Sequence, residues 1–574
     1  MAFNRKVSNL LSKTTTSANA FLKEGMKASH ETVSGNGALK YSTSGNDFVD
    51  DFASISKYKE PRSYEDVAKT MQLLYSIDKI KAVKMAIFIR LITRKSQVMK
   101  EKGVETLEEV QKGQGLKNEG IMRMLWLALN QPNVFKVNLP LFIAAGSWKD
   151  VITMMSLDLQ FHGWDKKQLD WTFFGKVIKA GLLNPGTSQL VRKYLPTIRT
   201  DAKCRTLESQ ADTLIGRWLA KQFFPEDEKF VAYKKYRQLK SKGTAHQWQQ
   251  LISKQMYNEL NFNSIAGRAL AQLVGSKFLQ NHGLVEKYSE WIKSKPVAKY
   301  TGFVFELFKP LGNGYHLNHI EDYKEATINA QFAQLVKTGK EGVNTNSGLL
   351  VVRDTSSSMT SQAMGCTMSS YDIAKSMALY FSEFLTGPFA NSFAEFADTC
   401  RLHQWKGKTP VDKYLNDRCE AYGGTDFQSV ISLFVQLKGR GVPESDFPTG
   451  LLCVSDGEFN RVSYYGGSRS ETASSTNFNE AIRRLRAAGF SKEYVDNFKI
   501  ILWDIPNHYY GKSETKFEDF ADAPNFFYLS GYDPSSVAFI MEGKECKVTP
   551  RNAAELMETA LDQELLNRVS IPRK

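Results

Sequence analysis

Apolar residues recur three and four positions apart through the first half of the chain. The spacing is clear in YEDVAKTMQLLYSIDKIKAVKMAIFIRLITRK, EGIMRMLWLALNQ, LPLFIAAGSWKDVITMMSLDL and LDWTFFGKVIKAGLL. It continues in SQADTLIGRWLAKQFF, FVAYKKYRQLKSK, AHQWQQLISKQMYNEL, SIAGRALAQLVGSKFLQNHG and LVEKYSEWIKSK. Each stretch predicts an amphipathic helix, and short Gly, Pro or Asn breaks separate them. No strand alternation intervenes for roughly 250 residues. Helix pairs that bury apolar faces against their neighbours make a solenoid, here an irregular one because no strict repeat period is found.

The pattern changes near residue 346. SGLLVVRD is a short apolar run with a polar end, followed by a helix in YDIAKSMALYFSEFL. NSFAEFAD, TGLLCVSDGEF, FKIILWDI and PNFFYLSG read as further strands. FQSVISLFVQL, NEAIRRLRAAGF and NAAELMETALDQELL read as helices between or after them. Such alternation predicts a parallel sheet covered by helices on both faces, with ligands at the carboxyl ends of the strands. The expected class is therefore α + α/β. A polar segment (1–49) precedes a helical-repeat domain (50–345), and a doubly wound domain (346–574) follows. Residues from about 50 to 325 should be almost wholly helical, and 326–347 should carry the chain between the domains.

Charge separates the same two parts. Residues 1–345 hold 51 lysines and arginines against 32 acids, a net +19, while residues 346–574 hold 24 against 29, a net −5. A basic part joined to a slightly acidic one implies different partners, and a polyanion such as RNA suits the first. Two stretches concentrate the charge. KYLPTIRTDAKCR supplies Lys193 and Arg199, and VAYKKYRQLKSK supplies Lys234, Lys235, Arg237, Lys240 and Lys242 with Tyr233 among them. Phosphates need cations and unpaired bases need flat side chains to stack on. The alternative is a solvated helix face with its tyrosines packed inward.

Composition excludes several classes. At 574 residues, with 42% hydrophobic and 24% charged, the chain reads as soluble, globular and larger than one ordinary core. No run of 18 apolar residues offers a membrane span, and the N-terminus has no apolar signal core. The six cysteines, Cys204, Cys366, Cys400, Cys419, Cys453 and Cys546, form no CxxC pair. They fit reduced thiols and a cytoplasmic setting. His316 and His319 lie close together without an evident third ligand.

One constellation carries chemistry. Asp354, Ser356 and Ser358 form D-x-S-x-S directly after a strand, Thr425 sits in the Gly-rich loop YGGTDF, and Asp456 ends the strand LLCVSD. A helix cap would explain the first motif alone. All three segments, in order and each at a strand end, suit a small hard cation. Mg²⁺ is the first choice, with Ca²⁺ or Mn²⁺ as substitutes. Hydroxyls with one or two carboxylates leave the ion under-neutralised, so it can take an acidic side chain from a partner protein.

This arrangement resembles a von Willebrand factor A domain with a metal-ion-dependent adhesion site. The resemblance makes Asp354, Ser356, Ser358, Thr425 and Asp456 the metal positions. The strand ends VVRD where VVD or ALD is commoner, so Arg353 is a departure that could weaken or regulate the site. SGNGALKYSTSGNDFVDDF is similar to the glycine-rich opening of TROVE modules, found in the Ro ribonucleoprotein. GSWKDVITM, KYLPTIRT, IAGRAL and YTGFVFELF resemble a related family in plants, bacteria and viruses that also ends in an A domain. In Ro proteins the helical repeats close into a ring that admits single-stranded RNA ends, and structured small RNA binds the basic outer face. The resemblance implies a non-catalytic RNA-binding scaffold. A protein-assembly component whose A domain grips an acidic partner is the competing expectation. An enzyme is not expected: there is no GxxxxGK[ST], no defensible Ser–His–Asp set, and Ser356 has no identifiable base.

Overall fold

The computed structural model describes residues 20–34, 36–54, 62–101, 103–200, 203–242, 248–294, 300, 302–313, 316–340, 348–364, 366–462, 475–507, 517–531 and 550–572. Cys546, the first part of the opening polar segment (1–19) and part of the expected link (341–347) lie outside them. Two compact units are formed. One combines Met1–Pro61 with Ile292–Ala560, the other Arg62–Trp291 with Leu561–Lys574. These discontinuous units differ from the sequence divisions at 49/50 and 345/346.

The second unit is helix-rich, and its breaks have local causes. The long apolar pattern from Tyr64 is two helices, Tyr64–Ile77 and Lys79–Arg90, joined at Asp78. Asp78 is extended, its carboxylate accepts the Lys81 N–H at 2.9 Å, and its own N–H reaches the Leu74 carbonyl at 3.0 Å. One residue thus serves orphan groups of both helix ends. A later break falls at Gly146 and Ser147, between Pro132–Ala145 and Trp148–His162. There Asp150 accepts the Ser147 N–H at 2.9 Å and the buried Arg90 Nε at 2.9 Å. A Cβ at Gly146 would collide with both partners of that ion pair.

One expectation is corrected here. The helical stretch contains an antiparallel hairpin, Arg94–Lys100 with Gly103–Gln111. Val98 and Leu107 are buried while charged neighbours face out, a one-sided alternation that suits strands. The chain's last residues complete this unit. Arg568 pairs with Glu105 at 2.6 and 2.9 Å, Leu565 N–H donates to Gln111 Oε1 at 2.9 Å, and Ser570 N–H to Asn138 Oδ1 at 3.0 Å.

The first unit is built on a six-stranded sheet. In chain order its strands are β1 (Leu349–Asp354), β2 (Ser392–Phe396), β3 (Cys400–Gln404), β4 (Gly450–Ser455), β5 (Lys499–Asp504) and β6 (Phe526–Ser530). The spatial order is β6-β5-β4-β1-β2-β3, and all pairings are parallel except β2 with β3. The sheet is therefore mixed, not wholly parallel, because a tight turn joins β2 to an added edge strand. Leu350, Val352, Leu451 and Cys453 face one apolar core with Val430, Phe434 and Leu485 from the helices Gln428–Gly439 and Asn477–Ala487. Every residue of the helix Ser370–Ser382, packed on β1, is buried.

Residues from the chain's opening belong to this core rather than to a separate polar segment. Ala38, Tyr41 and Ala53 join the cluster, and Ser34 Oγ donates to the Phe459 carbonyl at 2.7 Å. The expected link is helical over Asp322–Lys340. Among the described residues no helix is long and apolar enough to cross a membrane.

Candidate functional site

In a doubly wound sheet the strand order reverses between β1 and β4, and the crevice outside their carboxyl ends is where ligands sit. Asp354 is the last residue of β1 and Asp456 follows β4 directly. Both side chains are buried. Asp354 Oδ1 accepts the Ser356 N–H at 2.8 Å, and Oδ2 accepts the Ser455 hydroxyl at 2.5 Å. The Ser356 and Ser358 hydroxyls lie 3.2 Å apart, and Ser358 is also hydrogen-bonded to Asp456. Asn507 Nδ2 donates to Asp456 Oδ2 at 2.9 Å and to the Ser358 carbonyl at 3.1 Å.

Thr425 arrives on a separate loop. Its N–H donates to Asn460 Oδ1 at 3.2 Å, and the Asn460 N–H returns to its carbonyl at 2.8 Å. That loop is tied to the first motif, with Ser357 N–H on the Gly423 carbonyl at 3.2 Å and Tyr422 N–H on the Thr355 carbonyl at 2.8 Å. Ser356, Ser358 and Thr425 are all buried. Ser455, Asn460 and Asn507 were not singled out by the sequence. Asparagines in loops carry no signal of their own, although Ser455 stands next to Asp456.

Burial works against charge on both carboxyls of this cluster. Burial, and then the charge of Asp456, push the Asp354 carboxyl up to about 7. Burial likewise raises Asp456. Two buried carboxylates beside three hydroxyls repel each other as anions, and a divalent ion would relieve that repulsion. The donor set is all oxygen and so fits Mg²⁺, Ca²⁺ or Mn²⁺. Asp354, Ser356, Ser358, Thr425 and Asp456 are the residues that would hold it. Arg353 does not face this cluster. Successive strand residues point to opposite faces, and its guanidinium lies 4.9 Å over the Phe393 ring.

The basic stretches are less uniform. Arg199 pairs with Asp212 at 3.3 Å and Lys235 with Asp227 at 2.7 Å. Lys193 is half-buried, and burial lowers its ammonium. Lys240 is drawn inward to the Leu195 carbonyl. Lys234, Arg237 and Lys242 are exposed. Tyr233 is only 7% exposed and Tyr236 is fully buried, its hydroxyl on the Pro196 carbonyl at 2.9 Å. The expected stacking role of Tyr233 is thereby corrected, because its ring packs inward. The exposed aromatic on the helix Lys229–Ser241 is Phe230, at 77%. Positions 230, 234 and 237 are four and three apart, so Phe230, Lys234 and Arg237 share one face.

Comparison with known proteins adds little beyond this geometry. A family model described as a domain of unknown function (DUF7788) matches residues 349–569. The chain is similar to the crystal structure of the Deinococcus radiodurans RO (RSR) protein, with TM-score 0.40 and 12% identity over 89% of this chain and 95% of that one. No curated protein matches.

Proposed function

We propose that this protein is a non-catalytic RNA-binding scaffold, with an irregular helical solenoid for the nucleic acid and a von Willebrand factor A-like domain for a metal-dependent contact. The observation that carries the reading is the exposed row Phe230, Lys234 and Arg237 on a helix of the basic part of the chain. A flat ring beside cations offers stacking and phosphate contact together. The net +19 of residues 1–345 supplies the wider attraction. RNA binding by the full chain, measured by fluorescence anisotropy at several salt concentrations, tests it. Affinity that falls steeply with salt supports the reading, and no affinity at low salt overturns it. Linear and circular forms of one RNA would separate threading through a closed solenoid from binding on its outer face.

A second reading rests on the metal cluster. The five expected positions would supply two carboxylates and three hydroxyls to an ion and leave room for an acidic side chain of another protein. An assembly component would use that contact as its main function, and would retain it when RNA binding is absent.

A further inference from the structure

On the opposite face of β1 and β2 a second group of ligating side chains converges, distinct from the all-oxygen cluster. Glu395 of β2, His403 of β3 and Cys419, in the loop after the helix Pro410–Asn416, bring one oxygen, one nitrogen and one sulfur within 4.8 Å of one another. In the β2–β3 register Glu395 stands opposite Arg401 and Phe393 opposite His403. Glu395 and His403 are therefore diagonal neighbours on one face, a spacing that long side chains bridge. Cys400 and Leu402 alternate to the other face, so Cys400 is not a fourth member.

Three features show a site rather than a chance cluster. Glu395 is 4% exposed and its Oε2 is buried without a hydrogen-bond partner. His403 Nε2 lies 3.0 Å from Glu395 Oε1, yet makes no hydrogen bond of proper geometry. Glu395 Oε2 is thus a buried carboxylate oxygen without a donor, which is costly unless something else occupies it, while His403 faces Oε1 and the Cys419 thiol is hydrogen-bonded to the same carboxylate. Two of the ligands are also held. The His403 ring stacks on Phe393 at 5.3 Å, the Cys419 N–H donates to Asp417 Oδ1 at 3.2 Å, and the Tyr371 hydroxyl donates to the Cys419 carbonyl. The adjacent Arg353 does not oppose a cation with a free charge, because Asp417 pairs with it.

We propose that Glu395, His403 and Cys419 form a zinc site with an open fourth position. Carboxylate, imidazole and thiolate are all ordinary Zn²⁺ ligands, and three protein ligands with water in the fourth place is the arrangement of an accessible site. A thiolate disfavours Mg²⁺ and Ca²⁺, so this site and the oxygen cluster select different metals. The Cys419 thiol gives its proton to solvent as the sulfur–metal bond forms. His403, with a third of its side chain exposed, provides the entry path.

Co²⁺ is the probe, because a thiolate ligand gives a near-ultraviolet charge-transfer band that an all-oxygen site cannot produce. The full chain, stripped with chelator and titrated with Co²⁺ alone, should develop that band to saturation, and added Zn²⁺ should abolish it. Cys419→Ser should lose the band. His403→Gln should bind Co²⁺ more weakly while keeping far-ultraviolet circular dichroism unchanged. Absence of the band in the unaltered chain, or its persistence in Cys419→Ser, would overturn the proposal. Neither outcome depends on RNA or on Mg²⁺.

Discussion

Arg353 and Asp417 form a buried two-point ion pair, Nη1 to Oδ2 at 2.5 Å and Nη2 to Oδ1 at 3.3 Å, and Arg353 stands one residue before Asp354. Both side chains are almost wholly excluded from water. The arginine that departs from the expected strand ending is thus neutralised on the helix-covered face. Lys375 leans on the same carboxylate at 3.7 Å, and burial brings its ammonium down to about 8 although Asp417 opposes that.

The first prediction follows from this pair. Asp417→Asn leaves a buried guanidinium without its counter-charge, and should destabilise the fold by about 3–5 kcal/mol. Replacing both partners with apolar residues of similar volume should recover most of the loss. Urea unfolding of the single and double variants checks this. A single variant as stable as the parent would mean that Arg353 finds another partner.

Legibility in the sequence tracked how local each feature is. β1, β4 and β5 are buried on both faces, so LLVVRD, GLLCVS and KIILWD read as apolar runs without side-by-side comparison. Asp354 and Asp456 stand at the ends of such runs, which made their position readable before any pairing was known. β3 has no buried residue along its edge, and the hairpin from Arg94 hides two buried apolar side chains among lysines and glutamates. Neither has a periodic apolar signal. The contact of Ser34 with Phe459 spans 425 positions and no local rule reaches it. Glu395, His403 and Cys419 come from two strands and a loop, so their convergence depends on the strand register. Tyr233 and Phe230 are neighbours on one helix and differ in whether the rest of the unit covers them, which composition cannot show.

The oxygen cluster makes the second prediction. Full-length protein should bind Mg²⁺ measurably by calorimetry, and Asp354→Ala and Asp456→Ala should each abolish that binding while leaving the fold intact. Each variant also removes the acceptor of buried donors, Ser356 N–H and the Ser455 hydroxyl for Asp354 and Asn507 Nδ2 for Asp456, so its unfolding midpoint in chelator is measured beside that of the parent. Mg²⁺ should raise the midpoint of the parent and leave the variants unmoved, since stabilisation by a ligand requires its site. Unchanged affinity in Asp354→Ala would remove the assignment.

A pH dependence follows from Glu119 in the helix-rich unit. Burial alone would raise its carboxyl, but Arg123 and Arg62 outweigh that and hold it below the usual range. Arg123 Nε reaches Glu119 Oε1 at 2.9 Å, and Arg62 binds the same carboxylate. A depressed folded value means that the stabilisation is complete above the unfolded value of ~4.3 and is lost as pH falls through the folded value. Glu119→Gln should cost about 2 kcal/mol at neutral pH, discounted because Arg62 is one-third exposed. The gap between parent and variant at neutral pH should narrow at an acid pH below the unfolded value. Urea midpoints at the two pH values, read by helical ellipticity, decide it, and a gap that persists in acid would assign the loss to packing.

RNA binding gives the last prediction, in which charge and stacking separate. Each phosphate neutralised by a cation releases condensed counterion, contributing about 0.7 to the salt slope for single strands. Lys234→Ala with Arg237→Ala should therefore flatten the slope by about 1.4 if both exposed side chains touch phosphates. Lys235 is engaged with Asp227, so its loss should matter less. Phe230→Ala should weaken single-stranded RNA by ~1–3 kcal/mol at every salt concentration, because stacking is not a counterion effect. Tyr233→Ala should behave differently again. Its ring is buried and meets the exposed Phe230 ring edge to face at 6.3 Å, so the change opens a cavity and lowers stability first. Anisotropy titrations beside thermal melts distinguish the three. Equal RNA affinity in Phe230→Ala and the parent would take the ring out of the interface, and an unchanged slope in the double variant would take the helix Lys229–Ser241 out with it.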